Sequence, residues 1–352
     1  MKDQNTNLSA FGRLSALPRI TLMSGPTALS VLPNLSSVYK GEVTLLAKRD
    51  DCGDLAFGGN KVRQLEFYLG EAKAQGADTI LITGAVQSNF VRLAAAAARK
   101  LGMDCHIQLE ERVARSDPYY RTSGNVLLDK LLGATLHSYA DGEDEAGADE
   151  NLGVIAENLK SKGARPYIIP LAPGSAPLGA LGYIICAQEL LRQQKEQDIK
   201  IDEIVVASGS GNTHGGLLFG LRVLGSAIPV KGICVRREAG EQGPRIKDRC
   251  QKIADFLEID NPVADDDVEV DDTFLPPGYG EANNDVMQAI LVAARTEALM
   301  LDPTYTGKSM AGFMARASEA KQDSTLVFMH TGGTPAIFAY EQAFEQAFNK
   351  FA

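Results

Sequence analysis

The chemistry open to this chain starts with a lysine placed directly after a flexible turn. In Phe57-Gly58-Gly59-Asn60-Lys61 the glycines leave room for a flat ring to approach the backbone, and a lysine held in a cleft with lowered proton affinity forms Schiff bases with carbonyl compounds. The same lysine out in solvent would do nothing, and the local sequence leaves both readings open. A second turn, Ser208-Gly209-Ser210-Gly211-Asn212-Thr213, lets successive backbone N–H groups converge beside hydroxyl donors. That suits a phosphate at a helix N-terminus, or simply a tight strand-to-helix connection. It lacks the lysine of a nucleotide P-loop and the GxGxxG spacing of a dinucleotide site. Gln87-Ser88-Asn89 offers an amide, a hydroxyl and free N–H groups to an anion such as a carboxylate, and Ser88 would serve equally as a helix cap. Tyr279 and Tyr305 each lie within turn-forming sequence.

Holding these groups together requires strands that end where the turns begin. Thr79–Thr83, Glu203–Ala207 and Thr325–Met329 read as buried strands, each followed by a glycine-rich or polar turn and then a helical pattern. The helices are expected over Asn89–Leu101, from the Ser208 turn to about Leu224, and from Pro335 onward. This is the rhythm of an α/β protein with open, mostly parallel sheets, whose ligands bind beyond the carboxyl ends of the strands. The acidic stretches Asp141–Glu150 and Asp265–Asp272 read as solvated loops. Histidines 106, 137, 214 and 330 have no metal-ligand spacing, and GxSxG is missing, so neither a metal centre nor a serine hydrolase is expected.

A length of 352 residues is enough for about two domains. The net charge of −10 gives no general attraction to nucleic acid or to an anionic membrane. Five scattered cysteines without a CxxC pair, no secretory pattern and no long apolar run point to a cytoplasmic protein.

Taken in order, Lys48 to Cys52, Phe57 to Lys61, Gly84 to Asn89, Ser208 to Thr213, Pro277 to Gly280, Leu301 to Lys308 and His330 to Gly333 resemble the pyridoxal phosphate enzymes of the tryptophan-synthase-β type (fold type II). Within these, the chain looks like the branch holding 1-aminocyclopropane-1-carboxylate (ACC) deaminase and D-cysteine desulfhydrase. The resemblance implies a cofactor Schiff base on Lys61, the cofactor phosphate in the Ser208–Thr213 turn, and Asn60, Asn89, Tyr305 and Thr306 around the ring. It puts Gln87, Ser88, Asn89 and Tyr279 at the substrate, with Lys61, Ser88, Tyr279 and Tyr305 as the catalytic set and no metal. It also implies a discontinuous large domain, residues 1–61 plus 171–352, a small inserted domain, residues 62–170, and a homodimer.

Two departures from the family pattern bear on the reaction. Thr306 stands where ACC deaminases carry glutamate, which weakens the electron sink and favours elimination of a good leaving group over ring opening. Phe90 stands where relatives often carry histidine. The expected activity is α,β-elimination from a small cysteine-like amino acid, D-cysteine giving pyruvate, sulfide and ammonia. L-cysteate sulfo-lyase is the alternative, with Arg115, Arg121, Arg236 or Arg237 supplying sulfonate donors. ACC deaminase and a non-catalytic small-molecule sensor are the remaining readings.

Overall fold

The computed structural model describes residues 10–39, 43–115, 117–171 and 174–351. Among the described residues ten strands form two sheets. The larger runs β1-β2-β10-β7-β8-β9 and comprises β1 (Leu29–Val31), β2 (Thr44–Lys48), β7 (Glu203–Ser208), β8 (Val230–Cys234), β9 (Glu269–Asp271) and β10 (Thr325–Met329). Only the β1–β2 pair is antiparallel. The smaller sheet runs β5-β4-β3-β6, all parallel, from β3 (Thr79–Ala85), β4 (Asp104–Glu110), β5 (Thr135–Tyr139) and β6 (Pro166–Ile168). Its strands come wholly from residues 79–168.

Every residue of β3 is buried, as a parallel strand covered on both faces requires. Ile80 and Ile82 pack into the core that also holds Val327 and Met329 of β10, while Leu81 points to a smaller cluster with Leu152 and Ala156. Leu326 and Phe328 of β10 face a third cluster with Ile290, Met310 and Phe313. The helices that matter to the site are α1 (Lys61–Ala74), α2 (Asn89–Lys100), α3 (Gly124–Leu131), α4 (Glu145–Ser161), α5 (Leu178–Glu196), α6 (Asn212–Val223), α7 (Ala239–Leu257) and α8 (Thr306–Glu319). Between the two sheets lie α1, α2, α5 and α6, whose apolar residues share one core.

Three expectations are corrected. Asp141–Glu150 is not a loop throughout: Asp144 accepts a hydrogen bond from the Gly147 N–H and caps α4, which starts inside the acidic run. The Asp265–Asp272 run holds a short 3-10 turn and then strand β9. After Gly333 the chain makes a 3-10 turn, Thr334–Ala339, before the last helix, Glu341–Lys350. Among the described residues no helix is long and apolar enough to cross a membrane, and no cluster of residues suited to a metal is found.

Candidate active site

A cavity of about 320 Å³ opens at the carboxyl ends of β3, β4, β7, β8 and β10. Asn60, Lys61, Ser88, Asn89, Gly209, Ser210, Gly211, Thr213, Tyr279 and Tyr305 all line it, although they are scattered over 246 sequence positions, 60 to 305. Gln87, Ser208, Asn212 and Thr306 do not line it.

Lys61 is the first residue of α1. The turn before it is tightly packed: a Cβ on Gly58 would collide with the Asp51 carbonyl, and one on Gly59 would sit 3.1 Å from the Thr331 carbonyl oxygen, with both residues at positive φ. The glycines therefore serve close backbone packing as well as an open approach. The Lys61 ammonium lies 5.2 Å from the centre of the Phe90 ring. No hydrogen bond or acidic partner holds it among the described residues, and burial alone lowers its pKa to about 8. Roughly a tenth of the amine is then neutral and nucleophilic at pH 7.

The second turn leads from β7 into α6, with Gly211 in the left-handed region at φ 97°. The first N–H groups of α6 have no intrahelical acceptor, which gives the cavity an anion-binding end. Thr213 Oγ1 accepts hydrogen bonds from Asn60 Nδ2 at 2.8 Å and Gln64 Nε2 at 3.0 Å, so its own proton is left to donate elsewhere. Ser208 braces the turn from behind: its hydroxyl contacts His214 Nδ1 at 3.0 Å and accepts from Gln242 Nε2 at 2.9 Å. The Asn212 side chain is likewise turned inward, toward the Tyr68 hydroxyl. Replacing Thr213 with valine removes the donor and strands the buried Gln64 amide and the half-buried Asn60 amide. Affinity for a phosphate-bearing ligand is expected to weaken about ten- to a hundredfold, read by titrating the apoprotein spectroscopically.

Ser88 caps α2, accepting from the N–H groups of Phe90 at 3.2 Å and Val91 at 3.4 Å, and still lines the cavity. Asn89 Oδ1 accepts from Asn125 Nδ2 at 3.0 Å and Arg92 Nη2 at 3.3 Å. Its Nδ2 is thus the end left for a ligand acceptor. Gln87 is spent elsewhere, donating to the carbonyls of Tyr120 and Ser123 and accepting from the Asn125 N–H, so it anchors α3. Thr306 is fully buried: its hydroxyl donates to Asp302 Oδ1 at 2.6 Å and fixes the start of α8. The hydroxyls of Tyr279 and Tyr305 contact each other, with their rings edge-on at 5.9 Å. Burial and the neighbouring Tyr279 hold Tyr305 well above the ordinary tyrosine value, so it keeps its proton at neutral pH.

Of the four arginines that sequence reasoning offered as alternatives, Arg236 and Arg237 line the cavity; Arg112 and Arg245, which it did not name, line it beside them. Arg115 pairs with Asp117 and packs over Tyr340, while Arg121 pairs with Glu111, both away from the cavity wall. Glu110, Glu145 and Asp149 also line the cavity. The signal for Arg112 and Arg236 was position alone, each two residues past the end of a parallel strand.

The family described as pyridoxal-phosphate dependent enzyme matches residues 20–332. This chain belongs to that family. Among its relatives, the D-cysteine desulfhydrases of Salmonella typhi and Salmonella newport (strain SL254) are each 40% identical over 329 residues, covering 93% of this chain and 97% of theirs. A solved structure described as an ACC deaminase homologue superposes with a TM-score of 0.85 at 34% identity, covering 96% of this chain and 99% of that one. O-ureido-L-serine synthase shares the fold, with a TM-score of 0.64 at 16% identity over 94% of each chain. As a member of this pyridoxal-phosphate-dependent family, the protein is an enzyme of the fold-type II α/β class. The donor set fits the cofactor: an unpartnered amine of lowered pKa on one wall, and an N–H cradle with a donor-only threonine on another.

Proposed function

We propose that this enzyme catalyses α,β-elimination with deamination of a small amino acid carrying a leaving group on Cβ, converting D-cysteine to pyruvate, sulfide and ammonia. The observation that carries the reading is Lys61, an amine whose pKa burial lowers to about 8, set in one cavity with the N-termini of α2 and α6. In this reading the α6 turn and Thr213 would hold the cofactor phosphate, Asn89 Nδ2 would be free to donate toward its ring, and Lys61 would carry it. When bound, pyridoxal phosphate supplies the electron sink for the Cα carbanion.

The chain's own residues do the rest. The Ser88 hydroxyl proton and the Asn89 N–H at the start of α2 hold the substrate carboxylate. Lys61, once free, takes the Cα proton. Tyr305, proton-bearing at neutral pH and touching Tyr279, donates toward the departing group. Phe90 closes the wall beside Lys61 with an apolar face. The 40% identity to D-cysteine desulfhydrases supports D-cysteine as the substrate.

The test is a product panel with D-cysteine, L-cysteine, D-serine, β-chloro-D-alanine and ACC. Sulfide and pyruvate are expected in equal amounts from D-cysteine; 2-oxobutyrate from ACC, with nothing from D-cysteine, would overturn the reading.

The same proposal divides the chain into a large domain, residues 1–61 plus 171–352, and an inserted one, residues 62–170, around the smaller sheet. A homodimer is supported by an exposed apolar face that includes Tyr119, Met300, Phe338 and Phe348. Five unpaired cysteines suit the reducing cytoplasm.

A further inference from the structure

Asn89 serves a ligand acceptor only while its amide faces the cavity the right way round, because one end of an amide donates and the other accepts. What fixes the facing is Arg92, three residues further along α2 and fully buried. Burial lowers its pKa only to about 10, so it is a cation at neutral pH. Among the described residues, its hydrogen bonds all go to neutral oxygens. Nε donates to Asn125 Oδ1 at 3.1 Å, Nη2 to Asn89 Oδ1 at 3.3 Å, and Nη1 to the carbonyls of Ala56 and of Gly58, the latter at 3.2 Å. Asp129 of α3 is the acid whose charge it feels, yet neither carboxyl oxygen of Asp129 makes a hydrogen bond.

A guanidinium has no acceptor, so any amide end that meets it must be the oxygen. That decides both asparagines. Asn125 presents Oδ1 to Arg92 Nε, which turns its Nδ2 toward Asn89 Oδ1 and the Gln87 carbonyl, each at 3.0 Å. Asn89 Oδ1 therefore takes two donors, one from Arg92 and one from the amide that Arg92 orients, and Nδ2 is left for the cavity. The other end of the guanidinium grips the turn that delivers Lys61, where Ala56, Phe57, Gly58 and Gly59 all have positive φ. Alanine and phenylalanine keep that backbone only where their surroundings impose it. One side chain thus sets the donor on α2 and the turn before the reactive amine in a common frame.

We infer that Arg92 is a positioning residue for the cofactor: it locks the Asn89 amide with Nδ2 toward the ring and keeps that donor in register with the Lys61 turn. The inference rests on the cofactor placement proposed above. A donor beside the ring hydroxyl of pyridoxal phosphate favours the ionised form of that hydroxyl, and a reversed amide, presenting its oxygen, disfavours it. Glutamine at position 92 carries both a donor and an acceptor and leaves the Asn89 amide free to reverse; methionine offers no donor at all.

The test follows the visible absorbance of the bound cofactor against pH in the wild type, Arg92→Met, Arg92→Gln, Asn89→Ala and the double variants that join Asn89→Ala to each Arg92 change. A hydrogen bond to a charged oxygen is worth about ten- to a hundredfold in proton affinity, so the midpoint should rise by about one to two pH units in Asn89→Ala and in either Arg92 variant. In the double variants the Arg92 change should add nothing, because the amide that it orients is gone; a merely structural role would add its shift in both backgrounds. Arg92→Gln keeps a donor for the Ala56 and Gly58 carbonyls and carries the test should Arg92→Met not fold. A midpoint that rises in Asn89→Ala but keeps its wild-type value in the Arg92 variants, or shifts that add in full, would overturn the role of Arg92 and leave the cofactor placement standing. A midpoint unmoved by Asn89→Ala, or no visible band in the wild type given pyridoxal phosphate, would overturn both. Sulfide and pyruvate from D-cysteine report separately on the elimination reading.

Discussion

Lys61→Ala is expected to lose elimination activity by about 10² to 10⁴-fold from the missing base alone, and further through the loss of cofactor attachment. The cause is local: among the described residues of the cavity wall, Lys61 is the amine without a hydrogen-bonding or acidic partner, and its burial keeps a reactive fraction unprotonated near neutral pH. Two measurements separate this from misfolding. Borohydride treatment of the wild type with pyridoxal phosphate should fix a label on the peptide containing Lys61, and Lys61→Ala should carry none. Capture of the cofactor aldehyde by the apoprotein should rise with pH and reach half its maximum near 8, because only the neutral amine attacks; an ordinary lysine would titrate above 10. A variant that still forms pyruvate at the wild-type rate, or a label on another lysine, would remove Lys61 from the centre of the reaction.

The strands around that lysine were legible from sequence because they are short, apolar and buried on both faces: Thr325–Met329 matches its expected span, and Thr79–Thr83 runs on only to Ala85. Lys61 alone was not legible. A lysine after Gly-Gly-Asn has the same local pattern whether it meets solvent or a cavity, and it took the order of seven distant motifs to decide. Glu145 was hidden for a different reason. A charge run at a helix start and a charge run in a loop look alike, and what draws Glu145 to the cavity is a pair of arginines some ninety residues further on. Gln87 and Thr306 show the reverse case. Both have the chemistry of ligand-binding residues, yet long-range partners claim Gln87 at Tyr120 and Ser123, and a cap claims Thr306 at Asp302.

Arg63→Met is expected to destabilise the fold by about 3–5 kcal/mol at neutral pH. Arg63, two residues past Lys61, is buried and donates to Asp50 at 2.9–3.2 Å and to Glu189 Oε2 at 3.0 Å. Lys48 pairs with Glu189, and Tyr183 donates to Asp50 Oδ2 at 2.6 Å. Two cations and two carboxylates thus balance, tying the end of β2 to α1 and α5. Methionine fills much of the space and leaves one cation for two buried carboxylates. The pH dependence identifies the cause. Burial opposes ionisation of Asp50, but Arg63, joined by Lys48 and the Tyr183 hydroxyl, outweighs it and holds the pKa below the ordinary value. A carboxyl lowered in this way stabilises the wild type above its unfolded pKa, about 3.9, and the contribution is lost as pH falls through the folded value. Without Arg63, burial dominates and Asp50 takes up a proton at higher pH, which relieves the variant. Urea unfolding should therefore show the largest gap between the two proteins near pH 7 and a smaller one near pH 5. A gap below about 1 kcal/mol at pH 7, the level of an exposed pair, would mean that the network does not hold Lys61's helix in place.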